Sequence, residues 1–410
     1  MSRKGAWFVV VSLFLALGTF GKDKDKAIIA FDQAYDFLQK GSFIEAKASY
    51  EEALSYAPGN LEILKEYAIC LRKLGYLERS AKLGWISIEK DGSDSALWNN
   101  LGNTFMEAHA WDATMEAYLK VEKLNKDKVW VAKNFINLGY EQYNCGDYDK
   151  AIESYKHALA VNDGDGLATI GLGAATCASG DKEKGKAAIK AGQLMSSLNK
   201  SQHPAGDLRM FAGVMQSEDC TMKWSAWTSH TLLPPPFLRQ PQPGQASNLA
   251  IDSLVTRRYL MPDLSYIALE TPEQWSETVS AEPPSLFTIT YRPEKSSAYE
   301  MMMSAVKAST PSDDLQAIAN TMAKIQLKSA LEKEVQLQTI TSSSSTGYAF
   351  LLTDQKYAEQ APPAGEYKYA LTAVQSTGKY IVVTTCLTNS KEETALAEFF
   401  KCMKSIASIK

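Results

Sequence analysis

Histidine and cysteine are scarce in this 410-residue chain, with four of the first and six of the second. So few ligands, none grouped at ligand spacing, leave little material for a metal site, and no metal or other cofactor is expected. No C-x-x-C occurs, so a thioredoxin-like redox role has no support. An excess of basic charge is also missing: 43 Lys and Arg stand against 47 Asp and Glu, for a net −4. That balance does not suit a protein built to grip phosphate backbones, so no nucleic-acid partner is expected. H-E-x-x-H, G-x-S-x-G and G-x-x-x-x-G-K-[ST] are all absent, which removes the marks of metalloproteases, hydrolase elbows and P-loop enzymes. "GLGAAT" at Gly171 to Thr176 lacks the last glycine of a dinucleotide loop and reads as packing glycines. The run Ser342 to Ser345 reads as a polar loop. No catalytic residue is assigned, and the chain is expected not to be an enzyme.

What is present indicates a folded chain of two or three domains, with 45% hydrophobic and 22% charged residues. The start reads as a signal peptide over residues 1–21. Arg3 and Lys4 precede an apolar run from Ala6 to Phe20, and Gly18 and Gly21 are small residues for cleavage. Retention as an anchor is the alternative; after removal no integral span remains. The destination is then a periplasm, a cell envelope or the exterior, where disulfides form. Cys386, in an expected strand, and Cys402, in the helix after it, are the candidate pair, with buried free thiols as the other reading.

A repeat organises the first half. Small residues recur at Ala34, Ala68, Gly102, Gly139 and Gly173, spaced by 34, 34, 37 and 34. A turn column follows at Gly41, Gly75, His109, Gly146 and Gly180. Further columns read Phe43, Leu77, Trp111, Tyr148 and Lys182, then Tyr50, Gly84, Tyr118, Tyr155 and Ile189. Small residues let a second helix cross closely, glycine ends the first helix, and aromatics fill the space between units. Units that cannot bury their apolar faces alone stack into a solenoid.

On these columns residues 27–199 resemble five tetratricopeptide (TPR) repeats, best in the unit with Trp98, Leu101, Gly102 and Phe105 and in "NLGYEQYNCGDYDKAIESYKHAL". The resemblance implies a protein-binding scaffold whose first helices line a concave surface. By register that surface holds Lys65, Arg72, Lys73, Asn99, Asn100, Asn103, Lys133, Tyr140 and Tyr143. Basic and amide groups among tyrosines suit an extended peptide with acidic or terminal carboxylate groups. Three of the five positions of the family's carboxylate clamp are matched by Lys65, Asn100 and Lys133; Ile69 and Asn137 depart from it.

Residues 200–230 read as a capping region, and 231–247, with "TLLPPPFLRQPQPG", as a proline-rich, semi-rigid linker. From 250 to 410 the pattern is strands, a helix over Ser312 to Leu331, strands with a meander, and a closing helix with Leu396, Phe399, Met403 and Ile406 on one face. The fold class is therefore multidomain: an all-α solenoid followed by an α+β domain with an antiparallel sheet and helices. That element order resembles the PsbP-like α/β/α sandwich family. The function expected is an exported adaptor or scaffold, with the solenoid binding one partner and the second domain another. The alternative is a C-terminal domain that binds a small ligand or is catalytic, with the repeats only positioning it. Partner identity and oligomeric state are not legible.

Overall fold

A computed structural model describes residues 21–198 and 229–409, apart from 252–253, 262–264, 283–285, 294–298, 309–313 and 392. The expected signal peptide before Gly21 and the capping region up to residue 228 lie outside the described residues. Among the described residues of the first half, ten helices pair into five hairpins: α1 (Gly21–Lys40) with α2 (Phe43–Tyr56), α3 (Leu61–Lys73) with α4 (Leu77–Lys90), α5 (Ser95–Glu107) with α6 (Trp111–Leu124), α7 (Lys128–Asn144) with α8 (Tyr148–Val161), and α9 (Gly166–Ala178) with α10 (Lys182–Leu198).

The turn column does what its composition requires. Gly41, Gly75, Gly146 and Gly180 all take positive φ between the paired helices, and His109 takes φ 54° at the same position in the third hairpin. His109 is the one non-glycine with positive φ among the described residues, a conformation that costs a side chain more than it costs glycine. The small-residue column permits close crossing: a Cβ on Gly102 would lie 2.6 Å from Tyr118 Cε1. Tyr50, Tyr118 and Tyr155 are completely buried behind that column. Each first helix after the opening one is capped by a side-chain oxygen. Asn60 accepts from Ile63 N, Asp94 from Ala96 N, Asp127 from Trp130 N, and Asp165 from Leu167 N and Ala168 N.

The second half is built on two antiparallel sheets. β1 (Ser229–Thr231), β2 (Leu254–Leu260), β3 (Tyr266–Pro272) and β11 (Ala407–Ile409) form one, in the order β1-β2-β3-β11. The other has seven strands: β4 (Trp275–Glu282), β5 (Leu286–Pro293), β6 (Tyr299–Lys307), β7 (Gln338–Thr341), β8 (Thr346–Thr353), β9 (Tyr369–Ser376) and β10 (Tyr380–Thr388). Its order is β4-β5-β6-β10-β9-β8-β7, so the expected meander β8-β9-β10 is present and β10 then joins β6. Period-two alternation makes β10 serve two cores: Val382 and Cys386 face one, Ile381 and Val383 the other. The first core is closed by α12 (Glu393–Ser405), through Phe399, Cys402, Met403 and then Ile406.

The second core is closed by α11 (Leu315–Gln326), which is shorter than the expected Ser312 to Leu331. Ala319 and Ala323 are buried against the sheet, with Leu315, Ile318 and Met322 packed at the margin of the core, while Ile325 is 61% exposed. Small side chains let the helix backbone approach the strands, and that turns Ile325 outward.

Two expectations are corrected. Cys386 and Cys402 form no bridge: both are free thiols packed in one apolar core, and burial pushes each up to about 12, so they serve as small apolar side chains. The proline-rich segment is not an open spacer. Leu233, Phe237 and Ala246 are buried in the helical core, and the segment's two short 3-10 turns pack on α4. Trp85 Nε1 donates to Phe237 O at 2.8 Å, Lys82 Nζ to Leu249 O at 2.8 Å, and Ala246 N to Glu89 Oε1 at 2.9 Å. Prolines here lower the entropy cost of laying an extended strap on a helix.

Two further contacts fix the α+β half beside the array. Arg79 on α4 meets the buried Glu273 at 2.6 Å. Arg258 on β2 donates to Ala108 O at 3.3 Å, next to the His109 turn, with its guanidinium over Tyr266. Burial lowers the Arg258 pKa.

Candidate functional site

The first helices of successive repeats present one row of residues: α3, α5 and α7 supply all nine of the expected binding positions. Lys65, Arg72, Asn99, Asn100, Asn103, Lys133 and Tyr140 are half-buried and Lys73 is exposed. Tyr143 is only 5% exposed and packs on Tyr148 with ring centroids 5.5 Å apart, so it is a core residue. It faces the start of its partner helix, where the aromatic column demands a neighbour.

The row is not the basic surface that composition suggested. Lys65 is paired with Glu62, one turn earlier on the same helix, at 3.1 Å. Arg72 reaches from α3 to Glu107 on α5 in an ion pair that bridges two repeats. Glu66 and Glu141, each half-buried, hold further negative charge in the row. Burial, followed by the neighbouring Glu62, raises the Glu66 carboxyl; burial, followed by Glu107, raises that of Glu141. The case for an acidic peptide held by free lysine and arginine is correspondingly weaker.

Hydrogen-bonding capacity is retained. Tyr118 OH, reaching through from α6, donates to Asn103 Oδ1 at 2.7 Å. Asn99 Oδ1 and Arg72 Nε are buried atoms with no partner among the described residues. Both atoms are shut off from solvent, so the remaining amide groups of Asn99 and Asn100 are what can meet an extended chain. The glutamates and the Asn/Asp caps were missed in the sequence reading. The glutamates follow or flank the residues chosen there, and the caps recur one position before each first helix.

The remaining titratable groups have ordinary tasks. His109 is buried, lies 3.4 Å from Cys145 Sγ and stacks on Trp111. His157 contacts Glu122 at 2.9 Å. His203 lies outside the described residues. Among the described residues no three His, Cys, Asp or Glu side chains converge on a point. No helix among them is long and apolar enough to cross a membrane.

Paired helices, left-handed turns, small-residue crossings and a polar row on α3, α5 and α7 together make a tetratricopeptide-like array. Residues 132–165, covering most of α7 and all of α8, match the tetratricopeptide repeat family model. No curated protein matches the chain. Among solved structures, "Crystal structure of MamA protein" is similar at 21% identity and TM-score 0.37, covering 44% of this chain and 97% of that one. A structure titled "Functional Characterization of Pseudomonas Aeruginosa pilF" is similar at 15% identity and TM-score 0.35, covering 47% and 83%. Likeness at this level carries nothing about function.

Proposed function

We propose that this chain is an exported, non-enzymatic adaptor. The concave row of its helical array holds an extended segment of a partner protein, and the α+β half contacts a second partner. One observation carries the reading: among the described residues, the hydrogen bonds that join the strap and sheets to the array fall outside the row on α3, α5 and α7. The contacts between halves fall on Arg79, Lys82, Trp85 and Glu89 of α4 and on the turn at Ala108. Amide groups at Asn99, Asn100 and Asn103 hold the segment's backbone, and Tyr140 offers a ring. The mixed charges set which side chains are admitted. Export rests on the N-terminal signal pattern, and a disulfide at Cys177 suits an oxidising destination.

A photocrosslinking residue placed at Asn99 or Tyr140 tests this in the native envelope fraction. The same partner band is expected from both positions and not from Glu116, an exposed residue of α6. The Lys65→Ala/Lys133→Ala variant is expected to weaken that band. Equal crosslinking from Glu116, or none from the row, overturns the groove.

A further inference from the structure

The α11 side of the seven-stranded sheet is only partly covered. Beyond the C-terminal end of α11 a cleft of about 210 Å³ opens between Gln326, Ser329 and Ala330 on one wall and the ends of β8, β9 and β10 on the other. Its size lies below the roughly 300–1,000 Å³ of drug-sized sites, which limits an occupant to a small molecule.

The lining sets the occupant's chemistry. Two charged residues border the cleft, and both are engaged. Lys368 Nζ donates to Ala358 O at 2.9 Å, and Asp354 Oδ1 accepts from Lys356 N at 2.8 Å as the cap of a short 3-10 turn. Each keeps its charge, because one backbone hydrogen bond neutralises neither, and each has capacity left for a ligand's hydroxyl groups. The polar groups left are neutral: Gln326 bonds Thr372 at 3.3 Å, and Thr372 meets Thr385 at 3.3 Å. These are long contacts, readily exchanged for a ligand's hydroxyl groups.

Two aromatic rings complete the site. Tyr367 and Tyr369 line the mouth, and burial followed by Glu300 raises the Tyr367 pKa. Leu352 and Leu387 supply apolar floor. Lys391 Nζ lies over the Tyr369 ring at 4.7 Å and Lys368 Nζ at 5.9 Å, so Tyr367 and the aliphatic floor take the C–H faces of a saturated ring, while amide and hydroxyl groups meet its edge.

We propose that this cleft binds a small, uncharged, hydroxyl-rich ring compound, a neutral sugar. It goes beyond the adaptor reading and does not depend on it, because no residue of the concave row takes part.

Saturation-transfer NMR on the full chain is the test, with N-acetylglucosamine, maltose and cellobiose as probes and glucose 6-phosphate as the charged control. At least one neutral sugar is expected to receive saturation, with little transfer to the phosphate ester. Tyr367→Ala is expected to weaken binding by tenfold or more. Thr385→Val, which keeps shape and removes only the hydroxyl, is expected to weaken it severalfold with an unchanged melting temperature. Silence from all three neutral sugars, equal transfer to glucose 6-phosphate, or undiminished transfer in both variants overturns the proposal.

Discussion

The helical half and the α+β half solve the same problem of burial in opposite ways. In the array each hairpin buries its apolar face against its neighbours in the chain, so local signals repeat and surface positions follow from register. In the second half the central partner of β10 is β6, with α11, β7, β8 and β9 intervening in the chain. Contacts of that kind are set by pairing, and a residue's surroundings cannot be counted off from a motif. A proposed site in the first half is therefore a row, and in the second a gap between elements.

The join between the halves is where that contrast breaks most easily. Trp85→Ala removes a side chain only 3% exposed and orphans the Phe237 carbonyl; a loss of about 3–5 kcal/mol is expected. Urea denaturation should show it, with faster proteolysis between residues 232 and 251. An unchanged cleavage pattern would mean that the strap is held without the indole.

Within the array, Gly102→Ala forces a Cβ against Tyr118, at roughly 1–3 kcal/mol, whereas an alanine at Gly84 meets only Leu101 Cδ1 at 3.0 Å and is expected to cost less. Thermal melts of the two variants would rank the columns. Asp165→Ala, at a fully buried cap with two backbone donors, is expected to lose about 1 kcal/mol.

The smallest effects come from titration. Glu66 and Glu141 have folded pKa values raised above the ordinary 4.5, so the folded state binds more protons than the unfolded one between those values. Their contribution is most favourable below about 4.5 and is lost as pH rises through the raised folded value. Glu66→Gln and Glu141→Gln should therefore raise the melting temperature at pH 7 and leave it nearly unchanged near pH 4. A fall at pH 7 would show that these carboxylates are held by attraction. In the second half, Cys386 and Cys402 should resist iodoacetamide in the native protein at pH 8, since burial keeps them as thiols. Rapid labelling would place them at an opening.

Legibility followed the same division. The five-fold turn column and the tyrosines behind it were readable because their spacing is fixed by helical geometry. The ion pairs Lys65–Glu62 and Arg72–Glu107 were not, because residue type announces a charge and not its neighbour. Tyr143 was misplaced by the half turn that separates groove from core. The β-branched run of β10, "YIVVTTCLT", and the apolar run of β8, "TGYAFLLT", stood out, while β4, "WSETVSAE", carries its pattern too weakly. The strap looked open because proline content reports stiffness and says nothing about what lies beneath. The sugar cleft had no linear signal: Gln326, Tyr367 and Thr385 come from three separate elements.

The strap's return to α4 has a mechanical consequence. It follows the fifth hairpin in the chain, yet it runs back to the second, and Arg258 joins at the third. Tension applied through the C-terminal sheets would enter the array at its middle and leave the outer hairpins slack. A pull on one partner would then be felt first beside Arg72 and Glu107, and the ends of the solenoid could stretch like a spring held at its centre.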